Sequence, residues 1–185
     1  INTQAMRNAF VDNFNKNTPW SDTVGQLLRC QDEDQNKHFL AFYQIHGNMN
    51  GAPMANVITR GVTRRFMGIR MECAECHNDT SKGWTQSQYW GITAYFGRIT
   101  LGKEKEKDKQ PTTIIEAGGY TPPKGSTFRI PIAADGSIKI HEEARFDIGK
   151  SVRPKVFDGN EQIFADGKPL LPDFINWLTA PENKY

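Results

Sequence analysis

"MANVITRGVTRRFMGIRMECAECH", residues 54–77, sets the terms on which the rest of the chain has to be read. Met54, Ile58, Val62, Phe66, Ile69, Cys73 and Cys76 follow one another by three or four residues, the period of an α-helix. The spacing predicts one long helix, opened by Pro53 at its first position, with Arg60 and Arg64 on the opposite side. On that helix both cysteines continue the core-facing stripe and sit where it is buried.

Upstream the pattern is also helical. "TQAMRNAFVDNFNKNTPW", residues 3–20, spaces Met6, Ala9, Phe10, Asn13 and Phe14 for one helix face and must stop before Pro19. "WSDTVGQLLRC" offers Ser21 as an N-cap, followed by Val24, Leu27 and Leu28 on one face. "QNKHFLAFYQIHG" carries Phe39, Leu40, Phe42, Tyr43 and Ile45, then stops at Gly47. Downstream, "NDTSKG" breaks the period. Thr85 and Gln88 then have the spacing of a capping box, and Tyr89, Trp90, Ile92, Phe96 and Ile99 give the next helix an aromatic face.

Residues 102–111, "GKEKEKDKQP", alternate charge and read as a solvated loop. Beyond them the character changes. "STFRIPIAADGSIKIHEEARF" reads as two strands joined at Asp135-Gly136, with Pro131 marking an edge. "LPDFINWLTAPENKY" reads as a closing helix that starts at Pro172 and turns Phe174, Trp177 and Leu178 inward. The fold expected is mainly α, with a small β-hairpin insertion. Its organisation is a helical region over 1–110, a β-rich insertion over 111–165, and a C-terminal helix over 166–185.

Bulk properties exclude more than they assign. A chain of 185 residues is one domain, or one domain with an attached piece, and is long enough to bury a core. Hydrophobic residues make up 37% and charged residues 24%, with 23 basic against 21 acidic groups for a net charge of +2. Nothing there calls for a nucleic acid or an anionic membrane as partner. No apolar run reaches the length of a membrane span. The chain opens on Ile1 with no export-signal pattern and reads as an excised or processed piece.

Cys73, Cys76 and His77 carry the chemistry. Covalent haem attachment needs two thiols that reach two vinyl groups and an imidazole beneath the iron, and Cys-x-x-Cys-His supplies that order. Cys73 and Cys76 are then the thioether positions and His77 the proximal ligand, which makes the expected fold a helical c-type haem domain with 1–110 as its haem-binding region. Three other readings stay open: a zinc site with Cys30 as a fourth ligand, a redox dithiol, and two ordinary buried cysteines. Trp84, Tyr89, Trp90 and Phe96 are candidates for a wall of the haem slot, and Arg64, Arg65 or Arg70 for propionate partners. Core packing and surface solvation are the plain alternatives for these residues.

At these residues the chain resembles the cytochrome-c-like domains abundant in large planctomycete proteins, a family catalogued as a domain of unknown function. The matching signature is "FMGIRMECAECHND", a seven-residue step from His77 to Trp84, then "WTQSQYWGITAYF". Upstream "AMRNAFVDNFNKNTPWSDTVGQLL" and downstream "VRPKVFDGN" and "FINWLTAPENKY" add to it, leaving roughly residues 102–145 unmatched. The resemblance implies a haem-binding exported domain, periplasmic or at the cell surface. It also implies that residues 166–185 open the domain that usually follows. One departure stands out. The family has a second histidine two positions after the haem-type one, followed by Pro-Phe, where this chain has Asp79, Thr80 and Ser81.

The distal side of the iron is less determined. Every methionine lies at or before position 71. On a continuous helix Met54 is about 28 Å from Cys73, and Met71 is too near in sequence to cross to the far face. His46 and His38 fall short on the same geometry. His141 is then the leading protein ligand, with Cys30 a remote one and an open or water-filled position the rival. A filled position suits electron transfer with one covalent haem c, exchanged with a redox partner or a neighbouring domain. An open one suits a haem enzyme or small-ligand binder, and a zinc-stapled interaction module is the second alternative.

Overall fold

The computed structural model describes residues 3–30, 39–47, 53–101, 114–116, 133, 135–140, 149–157, 159 and 168–185. Among them the chain is mainly helical, with two short antiparallel strand pairs. Helices α1 (Thr3–Asn15), α2 (Trp20–Arg29) and α3 (Leu40–Ile45) lead to α4 (Ala55–Phe66). A 3-10 turn (Glu72–Glu75), α5 (Gln86–Ala94), four short strands and α6 (Leu171–Leu178) follow. No helix among the described residues is long and apolar enough to cross a membrane.

The main core gathers the apolar faces of α2, α3, α4 and α6. Val24, Leu27, Leu28, Phe39, Phe42, Tyr43, Ile58, Val62, Phe96, Phe174 and Ile175 are buried together. Each such side chain contributes about 1.5–3 kcal/mol on leaving water. Ser21, expected as a cap, lies instead inside the first turn of α2: the helix starts at Trp20, and Thr23 donates its N–H to the Pro19 carbonyl at 3.0 Å. Proline with φ −51° is already set for helix entry. The capping box on α5 forms as the spacing predicts. Thr85 Oγ1 accepts from the Gln88 N–H and Gln88 Oε1 from the Thr85 N–H.

The long helix through the cysteines does not form. α4 stops at Phe66, Gly68 takes φ +67°, and the Ile69 N–H donates to the Thr63 carbonyl at 2.9 Å. Glycine has no Cβ to penalise that left-handed conformation, so it ends the helix. The apolar residues beyond it keep helical time without being helical. The chain instead runs back along α4, whose Arg64, Arg60 and Asn56 at i, i−4 and i−8 meet Glu72 and then Glu75. Cys73 and Cys76 consequently lie in the 3-10 turn and are exposed rather than buried. The reach of about 28 Å assigned to Met54 on a continuous helix therefore does not apply.

A second, smaller cluster sits behind that turn: Met71, Ala74, Tyr89, Trp90, Ala94, Ile138, Ile140 and Val152. The last three come from β3 (Ile138–Lys139) and its surroundings and from β4 (Ser151–Val152), paired antiparallel with Ile138 opposite Val152. The reversal expected at Asp135-Gly136 is present. Gly136 has φ +83°, and the Ala133 N–H donates to the Ser137 carbonyl at 2.8 Å. The described ladder partner of Ile138–Lys139 is residues 151–152, while the strand expected over 126–132 lies outside the described residues. β1 (Ile99–Leu101) pairs with β2 (Ile114–Glu116), so strands flank the charged 102–111 stretch, itself outside the described residues. α6 buries Leu171, Phe174, Ile175 and Leu178 in the same core as α2.

Candidate functional site

A 3-10 helix has three residues per turn, so residues i and i+3 eclipse. The Cys76 N–H donates to the Cys73 carbonyl at 3.2 Å, closing one such turn. Cys73 and Cys76 therefore share one edge of it and both face solvent, while Ala74 is buried and Glu75 is half-buried. The pair of thiols and the two intervening residues point opposite ways.

Glu75 holds the inner side. Asn56 Nδ2 donates to its Oε1 at 2.9 Å, Arg60 Nε and Nη2 to its Oε2 at 2.8 and 2.6 Å, and the Tyr89 hydroxyl lies 2.8 Å from the same Oε2. The hydroxyl's single proton is shared with the Asn56 carbonyl at 3.1 Å. The Glu75 backbone carbonyl accepts from Trp90 Nε1 at 3.1 Å and from Gln86 Nε2 at 3.4 Å. Burial and then the nearby Glu75 charge push the Tyr89 hydroxyl well above the usual phenol range, so it serves as a neutral donor. For Arg60, burial opposes the charge most strongly, but Glu75 and Tyr89 together outweigh it and the guanidinium is held more firmly protonated than usual.

His77 follows directly, half-buried. Its Nδ1 lies 2.8 Å from the Asn78 carbonyl, which only accepts, so Nδ1 carries the proton and the Nε2 lone pair is left for a ligand role. Asn78 also caps α5 through Oδ1, which accepts the Gln86 N–H at 2.8 Å. Asp79, Thr80 and Ser81, where the related domains have His-Pro-Phe, form a self-contained turn. Asp79 Oδ1 accepts from the Ser81 hydroxyl and N–H, both at 2.8 Å, and from the Lys82 N–H at 3.1 Å. Those Ser81 bonds, side chain first, hold the Asp79 carboxyl below its ordinary range. The Asp79 N–H closes the turn on the Trp84 carbonyl at 2.7 Å.

The aromatic candidates divide. Tyr89 and Trp90 are fully enclosed directly behind the cysteine turn and engaged with Glu75. Trp84 is half-buried and packs its ring 4.8 Å from Phe157. Phe96 lies in the main core, 5.0 Å from the Phe174 ring, and is not brought to the motif. Of the arginines, Arg64 sits 3.7 Å from Glu72, Arg65 engages His46, and Arg70 is exposed. His141 and His38 lie outside the described residues. His46 has both ring nitrogens engaged, Nδ1 with the Phe42 carbonyl at 2.6 Å and Nε2 with Arg65 Nη1 at 2.7 Å.

The donor set can be tested against the candidate groups. Thioether attachment asks for two accessible thiols on one edge and a neighbouring imidazole with a free Nε2, and these residues fit it. A tetrahedral ion asks for convergence, yet among the described residues no three His, Cys, Asp or Glu side chains gather as a metal ion's ligands must. Cys30 is enclosed in the main core, away from the exposed pair. Sequence reading passed over Glu75, Asn56 and Asn78. The visible signal for the first two was the i, i+4 spacing of Asn56, Arg60 and Arg64 opposite two glutamates.

No curated protein and no solved structure matches the chain significantly. A family model, described as PSCyt2, protein of unknown function (DUF1549), matches residues 1–100. That span holds α1 to α5 and the whole cysteine–histidine turn, and covers more than half of the 185 residues, so this chain belongs to that planctomycete-associated family.

Proposed function

We propose that this protein is a monohaem c-type cytochrome domain that transfers electrons, with haem c attached through Cys73 and Cys76 and His77 as the proximal iron ligand. The observation that carries the reading is the shared exposed edge of the two thiols on a turn whose two intervening residues, Ala74 and Glu75, are held inward. Each thiol would add across one vinyl group, its sulfur bonding one carbon and its hydrogen going to the other, so attachment requires no net oxidant. The bound group would supply an iron that alternates between Fe(III) and Fe(II). This chain's residues hold the imidazole through Asn78 and fix the turn through Glu75, while Trp84 offers a half-buried edge beside it.

A redox partner protein or a neighbouring domain would exchange the electron. A periplasmic or cell-surface location accompanies the proposal, because this attachment chemistry normally takes place outside the cytoplasm. A second reading, a haem enzyme or small-ligand binder with an open distal position, is favoured by one observation. His46 is fully engaged, and Met67 and Met71 are buried in the two cores, so none of these three side chains is presented to fill the distal position.

The test is intact mass beside the absorbance spectrum in alkaline pyridine, on chain produced with a competent c-type maturation system. One haem of added mass that survives denaturation is expected. Haem-free protein that instead carries one zinc would return the zinc-stapled module. Carbon monoxide uptake by the reduced, folded protein would select the open-site reading over the six-coordinate electron carrier.

A further inference from the structure

Within Cys-Ala-Glu-Cys-His, Glu75 is the charged residue and the most heavily bonded one, although it neither bonds the porphyrin nor ligates the iron in the proposed chemistry. Its side chain is 16% exposed, between two exposed cysteines, and it receives donors from Asn56, Arg60 and Tyr89. Its carbonyl receives Trp90 and Gln86. Those partners come from α4 and α5, so one residue ties the turn to both helices that flank it. We infer that Glu75 is the positioning residue of the attachment turn, presenting both thiols outward before haem arrives and setting the charge on the inner side of that turn afterwards. The inference rests on the haem reading and deepens it.

The positioning half follows from the geometry of a short 3-10 segment. Such turns have poor hydrogen-bond geometry and persist in short pieces. In solvent the four residues would sample many conformers, and two thiols would meet two vinyl groups only in a fraction of them. With Ala74 buried and Glu75 bonded at both its carboxylate and its carbonyl, the eclipsed arrangement is held before any ligand binds.

The charge half follows from Coulomb's law in a partly desolvated setting. Ferric haem would carry one more positive charge than ferrous haem, so a fixed carboxylate on the inner side of the turn that bears it would favour the ferric state and lower the potential. Arg60, 42% exposed and paired to Glu75, opposes that effect in part. Removing either partner therefore moves the potential in opposite directions, whereas two merely structural residues would not produce opposite signs.

The experiment uses the 185-residue chain, matured in a host that attaches c-type haem, with potentials measured at one fixed pH. Glu75→Gln keeps the shape and the Asn56 and Tyr89 contacts; it is expected to attach haem and to show a higher potential than wild type. Arg60→Gln is expected to show a lower one. Glu75→Ala is expected to give several-fold less doubly attached protein, read as a red-shifted α band of the reduced pyridine complex, which marks an unreacted vinyl group. Potentials that do not move, or that move together, overturn the charge role. A Glu75→Ala protein with both vinyl groups fully reacted overturns the positioning role. Wild-type chain that carries no haem at all removes the reading beneath both.

Discussion

Cys76 donates its backbone N–H to the Cys73 carbonyl over 3.2 Å, and that single bond puts both thiols on the solvent edge of one 3-10 turn. Cys30, at the C-terminus of α2, is enclosed instead among Leu27, Leu28 and Tyr43. Thiolate attack needs access. In haem-free reduced protein, a thiol reagent such as Ellman's is expected to titrate two cysteines in the native state and a third only after denaturant is added. Mapping of the labelled peptides checks which two. Fast native labelling of Cys30 would contradict the packing.

How much of this was legible depends on whether the deciding contact is local. α3 and the start of α5 announce themselves because apolar period and terminal signals fall within a few residues, as Thr85 with Gln88 shows, whereas α2 opens one residue ahead of Ser21 and α5 ends at Ala94, short of Phe96 and of Ile99, which lies in β1. The course past Phe66 does not, because Ile69, Cys73 and Cys76 keep helical time across a glycine that has already turned the chain. The residue that stops the helix is visible in the sequence, but the periodicity outvotes it. The partner of Ile138 is hidden for another reason: alternation marks a strand and does not say which strand it joins. Glu75 was illegible as a keystone because Asn56 and Arg60 reach it only after the chain has folded back along α4.

The capping box gives a clean local prediction. Thr85 Oγ1 takes the Gln88 N–H at 3.2 Å and Gln88 Oε1 takes the Thr85 N–H at 2.9 Å. Thr85→Ala is expected to cost about 1 kcal/mol, and Thr85→Ser to recover most of it. Urea denaturation followed by far-ultraviolet circular dichroism measures both. Equal stability of the two variants would show that the cap contributes nothing.

Two buried neighbours on α5 should respond differently to losing their polar groups. Tyr89 bonds Glu75 and Asn56 from a fully buried position, so Tyr89→Phe is expected to cost about 1–2 kcal/mol. Gln86 is also buried, but its Oε1 has no hydrogen-bond partner among the described residues and its Nε2 bond to the Glu75 carbonyl is long at 3.4 Å. Gln86→Met removes an unsatisfied acceptor while filling similar space, and is expected to change stability by less than about 1 kcal/mol in either direction. Paired denaturation curves of the haem-free proteins decide the contrast.

Gly61 is where α4 makes room for His46. A Cβ added there would overlap His46 Nε2 and lie 2.6 Å from Cδ2, against a ring already fixed by Phe42 and Arg65. Alanine normally favours a helix over glycine by about 1 kcal/mol, yet the clash should win. Gly61→Ala is expected to destabilise by about 1–3 kcal/mol. In a His46→Ala background the same change should be neutral or favourable, so a double-mutant cycle reads the contact directly.

The same histidine makes stability depend on pH with a defined sign. Burial first, and then the Arg65 charge, lower the His46 pKa below its ordinary 6.5; the Phe42 carbonyl, accepting from Nδ1, works the other way without prevailing. The folded chain therefore holds this ring neutral under conditions where the unfolded chain would protonate it. Where the unfolded state binds more protons, stability rises with pH, so the contribution is fully present above 6.5 and is lost as pH falls through 6.5 towards the lower folded value. A proton added in the folded state would land on Nε2, facing Arg65 at 2.7 Å, and would exchange an accepted hydrogen bond for two like charges. Denaturation midpoints of the haem-free chain from neutral pH down to about pH 5 are expected to decline. His46→Gln keeps a polar side chain that does not titrate, and its profile should be flatter over the same range. The difference between the two profiles isolates His46 from the other histidines, and parallel profiles would show that this ring does not set the acid limit of the fold.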